Sequence, residues 1–107
     1  MTKKLPPEVI VIRKAKKYLR KGWHQGFWAC SKSGENVDYN NRRACAWCLS
    51  GALRKGGEKR LLPDNKLYNE NWYKVFGGTP AVKFNDEVAE SVEDVLLKLD
   101  HLEALFM

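Results

Sequence analysis

Between Ala44 and Leu53 the only hydrophilic residue is Ser50; the others are Ala44, Cys45, Ala46, Trp47, Cys48, Leu49, Gly51, Ala52 and Leu53. A segment that is apolar nearly all round has no face to offer water, so it must lie at the centre of the folded chain. Asp38, Asn40 and Asn41 stand before it as natural N-cap residues and Gly56-Gly57 follows as a stop, which predicts a buried central helix from Arg42 to Lys55. Glu58-Lys59-Arg60 reads as the start of a surface loop.

The remaining elements have to cover that helix. After Pro6-Pro7, apolar residues at Val11, Ile12, Ala15, Tyr18 and Leu19 recur at helical spacing, predicting an amphipathic helix over Glu8 to Lys21 that stops at Gly22. The aromatic, Gly-punctuated stretch Trp23 to Cys30 and the turn signal Ser33-Gly34 predict a hairpin, with a strand near 27–31 and a return near 36–38. Pro63, Asp64 and Asn65 open a further helix carrying Tyr68, Trp72, Val75 and Phe76 on one stripe, closed by Gly77-Gly78. Val82 and Phe84 alternate with Lys83 as in a short strand ended by Asn85-Asp86. Ser91 with Asp94 resembles a capping box, and Val92, Val95, Leu96, Leu99, Leu102 and Phe106 form the stripe of a last helix. The expected fold is α+β, about four helices packed around the buried central one with a small antiparallel hairpin or sheet.

At 107 residues the chain suffices for one domain with one core, and a second domain is not expected. Residues 1–7 read as a flexible basic arm. No window approaches the roughly 18 consecutive apolar residues of a membrane span, and the start lacks a signal-peptide pattern. Three cysteines, Cys30, Cys45 and Cys48, do not make a disulfide framework. The expected setting is the cytoplasm, or the host cytoplasm for a phage-encoded protein.

Charge is unevenly distributed. Residues 1–60 hold 15 Lys/Arg against 4 Asp/Glu, and residues 61–107 hold 4 against 9. On the first helix Arg13, Lys14, Lys16, Lys17, Arg20 and Lys21 fall on one continuous arc at about 100° per residue. Arg42, Arg43, Arg54, Lys55, Lys59 and Arg60 extend the basic character, and Tyr18, Trp23, Phe27, Trp28 and Tyr39 lie close in sequence. Positive charge beside flat rings suits phosphate and base contacts, although a charged arc is also what any solvated helix face presents.

Cys45-Ala46-Trp47-Cys48 is a C-x-x-C. A zinc site would need His24 and Cys30 to complete a Cys₃His set, and a redox pair would need a thiolate at a helix start after a strand. The pair sits inside the apolar segment, so neither metal nor cofactor is expected and the cysteines read as small buried residues. The zinc-deaminase signature is absent. So are a phosphate loop, a nucleophile elbow and a diagnostic carboxylate pair. Cys48 as nucleophile, His24 as base and Asn85 or Asp86 as orienter would suffice for acyl transfer, and a small cysteine-dependent enzyme centred on Cys48 and His24 is the alternative to a binding protein.

Across Ala15 to Leu99 the chain resembles a family of small uncharacterised proteins from phages and bacteria. The resemblance rests on Gly22-Trp23, Gly26, Ala29, Gly34, the run Trp47-Cys48-Leu49-Ser50-Gly51-Ala52-Leu53, and Phe84-Asn85-Asp86 ahead of Val95. It implies a shared fold and a phage or mobile-element origin, with counter-defence as a fitting role. In that pattern only Cys48 of the C-x-x-C belongs, and Cys45 is a departure, which weakens the zinc and redox readings further. The expected function is therefore non-enzymatic binding of an anionic partner, be it nucleic acid, a nucleotide-like signal or an acidic host protein. Arg13, Lys14, Lys17, Arg20, Lys21, Trp23, Trp28, Arg42 and Arg43 are the expected contact residues.

Overall fold

The first helix, α1 (Pro7–Lys21), starts where Pro6 and Pro7 pre-set the backbone, and it carries Glu8 in its first turn and Arg20 and Lys21 in its last, the polarity that suits the helix dipole. Its Val9, Val11, Ile12, Ala15 and Leu19 are buried. The computed structural model describes residues 5–62 and 67–107, so most of the N-terminal arm and the residues expected to open the third helix, Pro63, Asp64 and Asn65, lie outside the described residues, and the helix itself is seen over Glu70–Phe76, with Tyr68 ahead of it.

A three-stranded antiparallel sheet follows, with β1 (Ala29–Ser31) between β2 (Asn36–Val37) and β3 (Ala44–Trp47). The hairpin of β1 and β2 is the one expected, in the register Ala29↔Val37 and Cys30↔Asn36. The third strand is not. Residues 44–47 were expected in a long central helix, but only Leu49–Lys55 is helical, as α2. The reason lies in the backbone partners available to Trp47: its N–H donates to Gly22 O at 2.9 Å and its carbonyl accepts from His24 N–H at 3.0 Å. Segment and sheet can meet this closely because residue 22 is glycine; a Cβ there would stand 2.4 Å from Cys45 O. A short apolar run suits strand and helix equally until such partners decide. Asp38 and Asn41 accordingly serve a turn: Asn41 N–H donates to Asp38 O at 3.0 Å, and Asn41 Oδ1 accepts from Arg43 N–H at 2.8 Å.

Burial of the apolar segment is as expected only from Trp47 on: Ala44 and Ala46 are half-buried and Cys45 is exposed, because residues 44–47 lie in an edge strand of the sheet rather than in a central helix. Trp47, Cys48, Leu49, Gly51, Ala52 and Leu53 are all buried, and the helix packs against α1 and the sheet. Gly51 sits where α2 meets the chain just before β1: a Cβ would come within 2.1 Å of Trp28 O. Instead of a surface loop, residues 58–61 form a short helix, α3 (Glu58–Leu61), whose Glu58 is buried.

Asn69 caps α4 (Glu70–Phe76) by accepting from Asn71 N–H at 2.9 Å. Trp72 and Phe76 stack at 4.0 Å between ring centres, with Tyr68 and Phe84 edge-on at either end. The strand expected over 82–84 is helical: Pro80 starts α5 (Ala81–Lys83), which runs on into a π-helical turn at Phe84–Val88. Alternation over three residues cannot distinguish a strand from one helical turn, and Val82 points to solvent rather than inward. The last helix, α6 (Val92–Phe106), buries Val95, Leu99 and Leu102. Ser91 makes no side-chain cap; Asp94 alone acts, accepting from Glu90 N–H at 2.8 Å. The fold is α+β, with helices around one contiguous apolar core, and no helix of the described residues is long and apolar enough to cross a membrane.

Candidate functional site

A π turn widens the helix by one residue and re-aims its side chains. Here it turns Asn85 fully inward. Asn85 Oδ1 accepts from Trp23 Nε1 at 2.7 Å and from Leu49 N–H at 2.9 Å. Its Nδ2 donates to His24 O at 3.0 Å and to Asp86 Oδ1 at 2.8 Å. A primary amide has two donors and room for two acceptor contacts, and all are used. One buried side chain therefore ties the 23–24 segment, the start of α2 and the π turn together. Gln25 adds a bond from Nε2 to Asn85 O at 2.8 Å, and Gly26 N–H donates to Asp86 Oδ1 at 3.0 Å.

This network sets the wall of a groove over α2. Its smaller chamber, about 280 Å³, is lined by Phe27, Trp28, Cys48, Arg54 and Asp86 among others. The larger, about 510 Å³, is lined by Tyr68, Trp72, Tyr73 and Pro80. Ser50 and Val82 border both. Trp28 stacks on Tyr39 with ring centres 5.0 Å apart, and the Arg54 guanidinium lies 4.4 Å from the centre of the Trp28 ring, inside the range of a cation–π contact. Beneath the larger chamber Tyr68 donates from its hydroxyl to Glu58 Oε2 at 3.2 Å. Burial pushes the Glu58 carboxyl up, and the Tyr68 hydrogen bond only partly offsets this. The Tyr68 hydroxyl is pushed up by burial and by the Glu58 charge.

The cysteines do not converge. Cys45 is the unpaired residue of a bulge in β3, opposite the step between Cys30 and Ser31, and is exposed, and Cys30 is half-buried, so of the three only Cys48 is the small buried residue expected. Cys48 is 5 % exposed and caps α2, its Sγ accepting from Gly51 N–H at 3.2 Å. Burial pushes the Cys48 thiol up, the Gly51 N–H opposes this, and the nearby Asp86 charge adds to it. A nucleophilic thiolate needs the reverse. His24 Nε2 meets Asn36 Oδ1 at 3.2 Å. Among the described residues no group of three or more His, Cys, Asp or Glu is placed to hold a metal ion.

The basic arc of α1 is divided by its neighbours. Lys16 Nζ lies 2.7 Å from both Asp100 Oδ1 and Glu103 Oε1 on α6, and Arg13 Nε lies 3.1 Å from Glu103 Oε2. Burial pulls Lys16 down, but its bonds to Asp100 and Glu103 outweigh this and hold it above the usual lysine value. Burial likewise acts to raise Glu103, and its bonds from Lys16 and Arg13 prevail and hold it below the usual carboxylate range. Lys14, Lys17, Arg20 and Lys21 are exposed, with no carboxylate partner among the described residues. Lys21 and Lys55 each stand 5.7 Å from the centre of the Tyr18 ring. Arg43 pairs with Glu35 at 2.7 Å, both largely exposed, and Arg42 is exposed. Trp23 is committed to Asn85, and Trp28 to Tyr39 and Arg54. Of the groove residues, the sequence points to Asp86 only as an orienter for Cys48 and to Arg54 only as an extension of the basic face; their meeting with Tyr68 and Trp28 around one groove is set by the fold.

Comparison with curated proteins and with solved structures finds no match for this chain. The model of a family of unknown function (DUF6197) matches residues 4–105, nearly the whole chain, and the protein therefore belongs to that family.

Proposed function

We propose that the protein is a non-enzymatic binding protein that holds a polyanion, specifically nucleic acid, on the exposed face of α1 formed by Lys14, Lys17 and Lys21, opposite its buried Ile12, Ala15 and Leu19. The observation that carries this reading is the division of the arc: Arg13 and Lys16 pair with Asp100 and Glu103, whereas Lys14, Lys17 and Lys21 are exposed with no carboxylate partner among the described residues, and Lys21 and Lys55 flank the Tyr18 ring. At positions i, i+3 and i+7 these three share one helix face and span about 10 Å along its axis. A nucleotide-sized ligand is usually held in a concave site, whereas a row of lysines on the outside of a helix suits an extended backbone of phosphates. The thiol of Cys48, pushed up by burial and turned to Gly51 N–H, supports the non-enzymatic side of the reading.

The test is the salt dependence of binding to duplex DNA. Each phosphate contact contributes about −0.9 to the log–log slope, so the triple variant K14Q/K17Q/K21Q is expected to flatten it by roughly 2 to 3. Lys16→Gln, on the paired flank, is expected to change it little. A parent protein that fails to bind DNA at about 50 mM salt, or a triple variant with the parent's slope, overturns the proposal.

A further inference from the structure

Four of the large apolar side chains that the fold leaves in solvent, Phe27, Tyr68, Tyr73 and Val82, border the groove over α2. Such convergence marks a binding surface far more than scattered exposure does. The two chambers differ in chemistry. In the smaller one Arg54 and Asp86 face the same space of about 280 Å³, yet no ion pair joins them. Each is held in place by something else: Asp86 Oδ1 by Gly26 N–H and Asn85 Nδ2, Arg54 by the Trp28 ring. A cation and a carboxylate fixed apart on one small cavity are complementary to a ligand that carries the opposite pair. The larger chamber, which shares Ser50 and Val82 with the smaller one as lining, offers the aromatic wall of Trp72 and Tyr73.

We propose that this groove binds a small zwitterion of the α-amino acid class with a large apolar side chain. The ammonium meets Asp86, the carboxylate meets Arg54, and the side chain enters the larger chamber. The site involves none of the lysines of α1, so it stands or falls separately from the polyanion reading.

Calorimetric titration of the full chain with L-phenylalanine, L-tryptophan and L-leucine tests it, alongside phenethylamine, which lacks the carboxylate, and 3-phenylpropionate, which lacks the ammonium. At least one of the three amino acids is expected to bind. For phenylalanine, each single-headed analogue is expected to bind at least about tenfold more weakly. Asp86→Asn keeps an oxygen for Gly26 N–H and is expected to abolish the preference over 3-phenylpropionate alone; Arg54→Gln is expected to abolish the preference over phenethylamine alone. Val82→Arg, at an exposed position between the chambers, leaves the core untouched and is expected to block the amino acid that the parent binds. No binding of any of the three amino acids at about 10 mM, equal binding of zwitterion and analogues, or undiminished binding in Val82→Arg each overturns the proposal.

Discussion

Replacing Gly51 with alanine sets two effects of opposite sign against each other. Alanine is the better helix former by about 1 kcal/mol, so at an open site in α2 the substitution stabilises. Gly51, however, meets the backbone of Trp28: the new methyl would stand 2.1 Å from its carbonyl oxygen and 2.9 Å from its carbonyl carbon. Neither atom belongs to a flexible side chain, so the chain entering β1 and α2 must separate by roughly 1 Å to restore ordinary contact. That carbonyl accepts the Cys48 N–H at 3.1 Å, and the same displacement breaks this bond, at a cost of about 0.5–1.5 kcal/mol. Overpacking costs a further 1–3 kcal/mol or so. The net expectation is a loss of about 1–3 kcal/mol, which lowers the urea midpoint by roughly 1 M at the slope usual for small domains. Equilibrium unfolding followed by tryptophan fluorescence reads the shift. A Gly51→Ala protein as stable as the parent, or more so, refutes the placement of α2 against Trp28; Gly51→Leu, with more to accommodate, is expected to be worse.

Asn85→Ala leaves Trp23 Nε1, Leu49 N–H and His24 O without their buried partner, and at about 1–3 kcal/mol per orphaned group the expected loss exceeds 3 kcal/mol in the same assay. Glu58 has a carboxyl raised by burial, so the folded state binds its proton more tightly than the unfolded one, and stability falls as pH rises above the ordinary glutamate value of 4.5. Glu58→Gln keeps an acceptor for the Tyr68 hydroxyl and is expected to be more stable than the parent at pH near 8, with the advantage shrinking towards pH near 4. Glu103 is the opposite case: held low by Lys16 and Arg13, it contributes stability that is present above its unfolded value and lost as pH falls through its depressed folded one. Glu103→Gln is therefore expected to weaken the protein at neutral pH and to flatten the acid limb of its stability curve; an unchanged limb would show that the α1–α6 ion pairs contribute nothing.

The parts of the fold legible in the sequence were those with long periodic evidence. The stripe Val11, Ile12, Ala15, Leu19 and the stripe Val95, Leu99, Leu102 each repeat over several turns, and the helices that carry them run almost as their periodicity indicates. The hairpin was legible because Ser33-Gly34 interrupts it chemically, and the burial of Trp47, Leu49, Ala52 and Leu53 because the apolar run has almost no polar face to expose, although its first residues, Ala44 to Ala46, are not buried. What hydropathy could not decide was whether Ala44–Trp47 extends or coils and whether Ala81–Lys83 alternates or turns. Both questions concern three or four residues, where strand and helix periods fit equally well. Contacts distant in sequence decided them: Gly22 and His24 bonding Trp47, and Asn85 reaching Trp23 and Leu49.

The same division holds for the candidate sites. Composition and spacing alone determined that α1 carries a continuous basic arc, because charge and helical phase are local properties. Only the tertiary structure decided which of those cations remain available, since Glu103 and Asp100 lie over 80 residues from Lys16 and reach it through the packing of α6 on α1. The groove was invisible for the same reason. Trp28, Arg54, Asp86 and Trp72 come from four separate segments, and a cavity is a property of the space between elements, which no single stretch of sequence encodes.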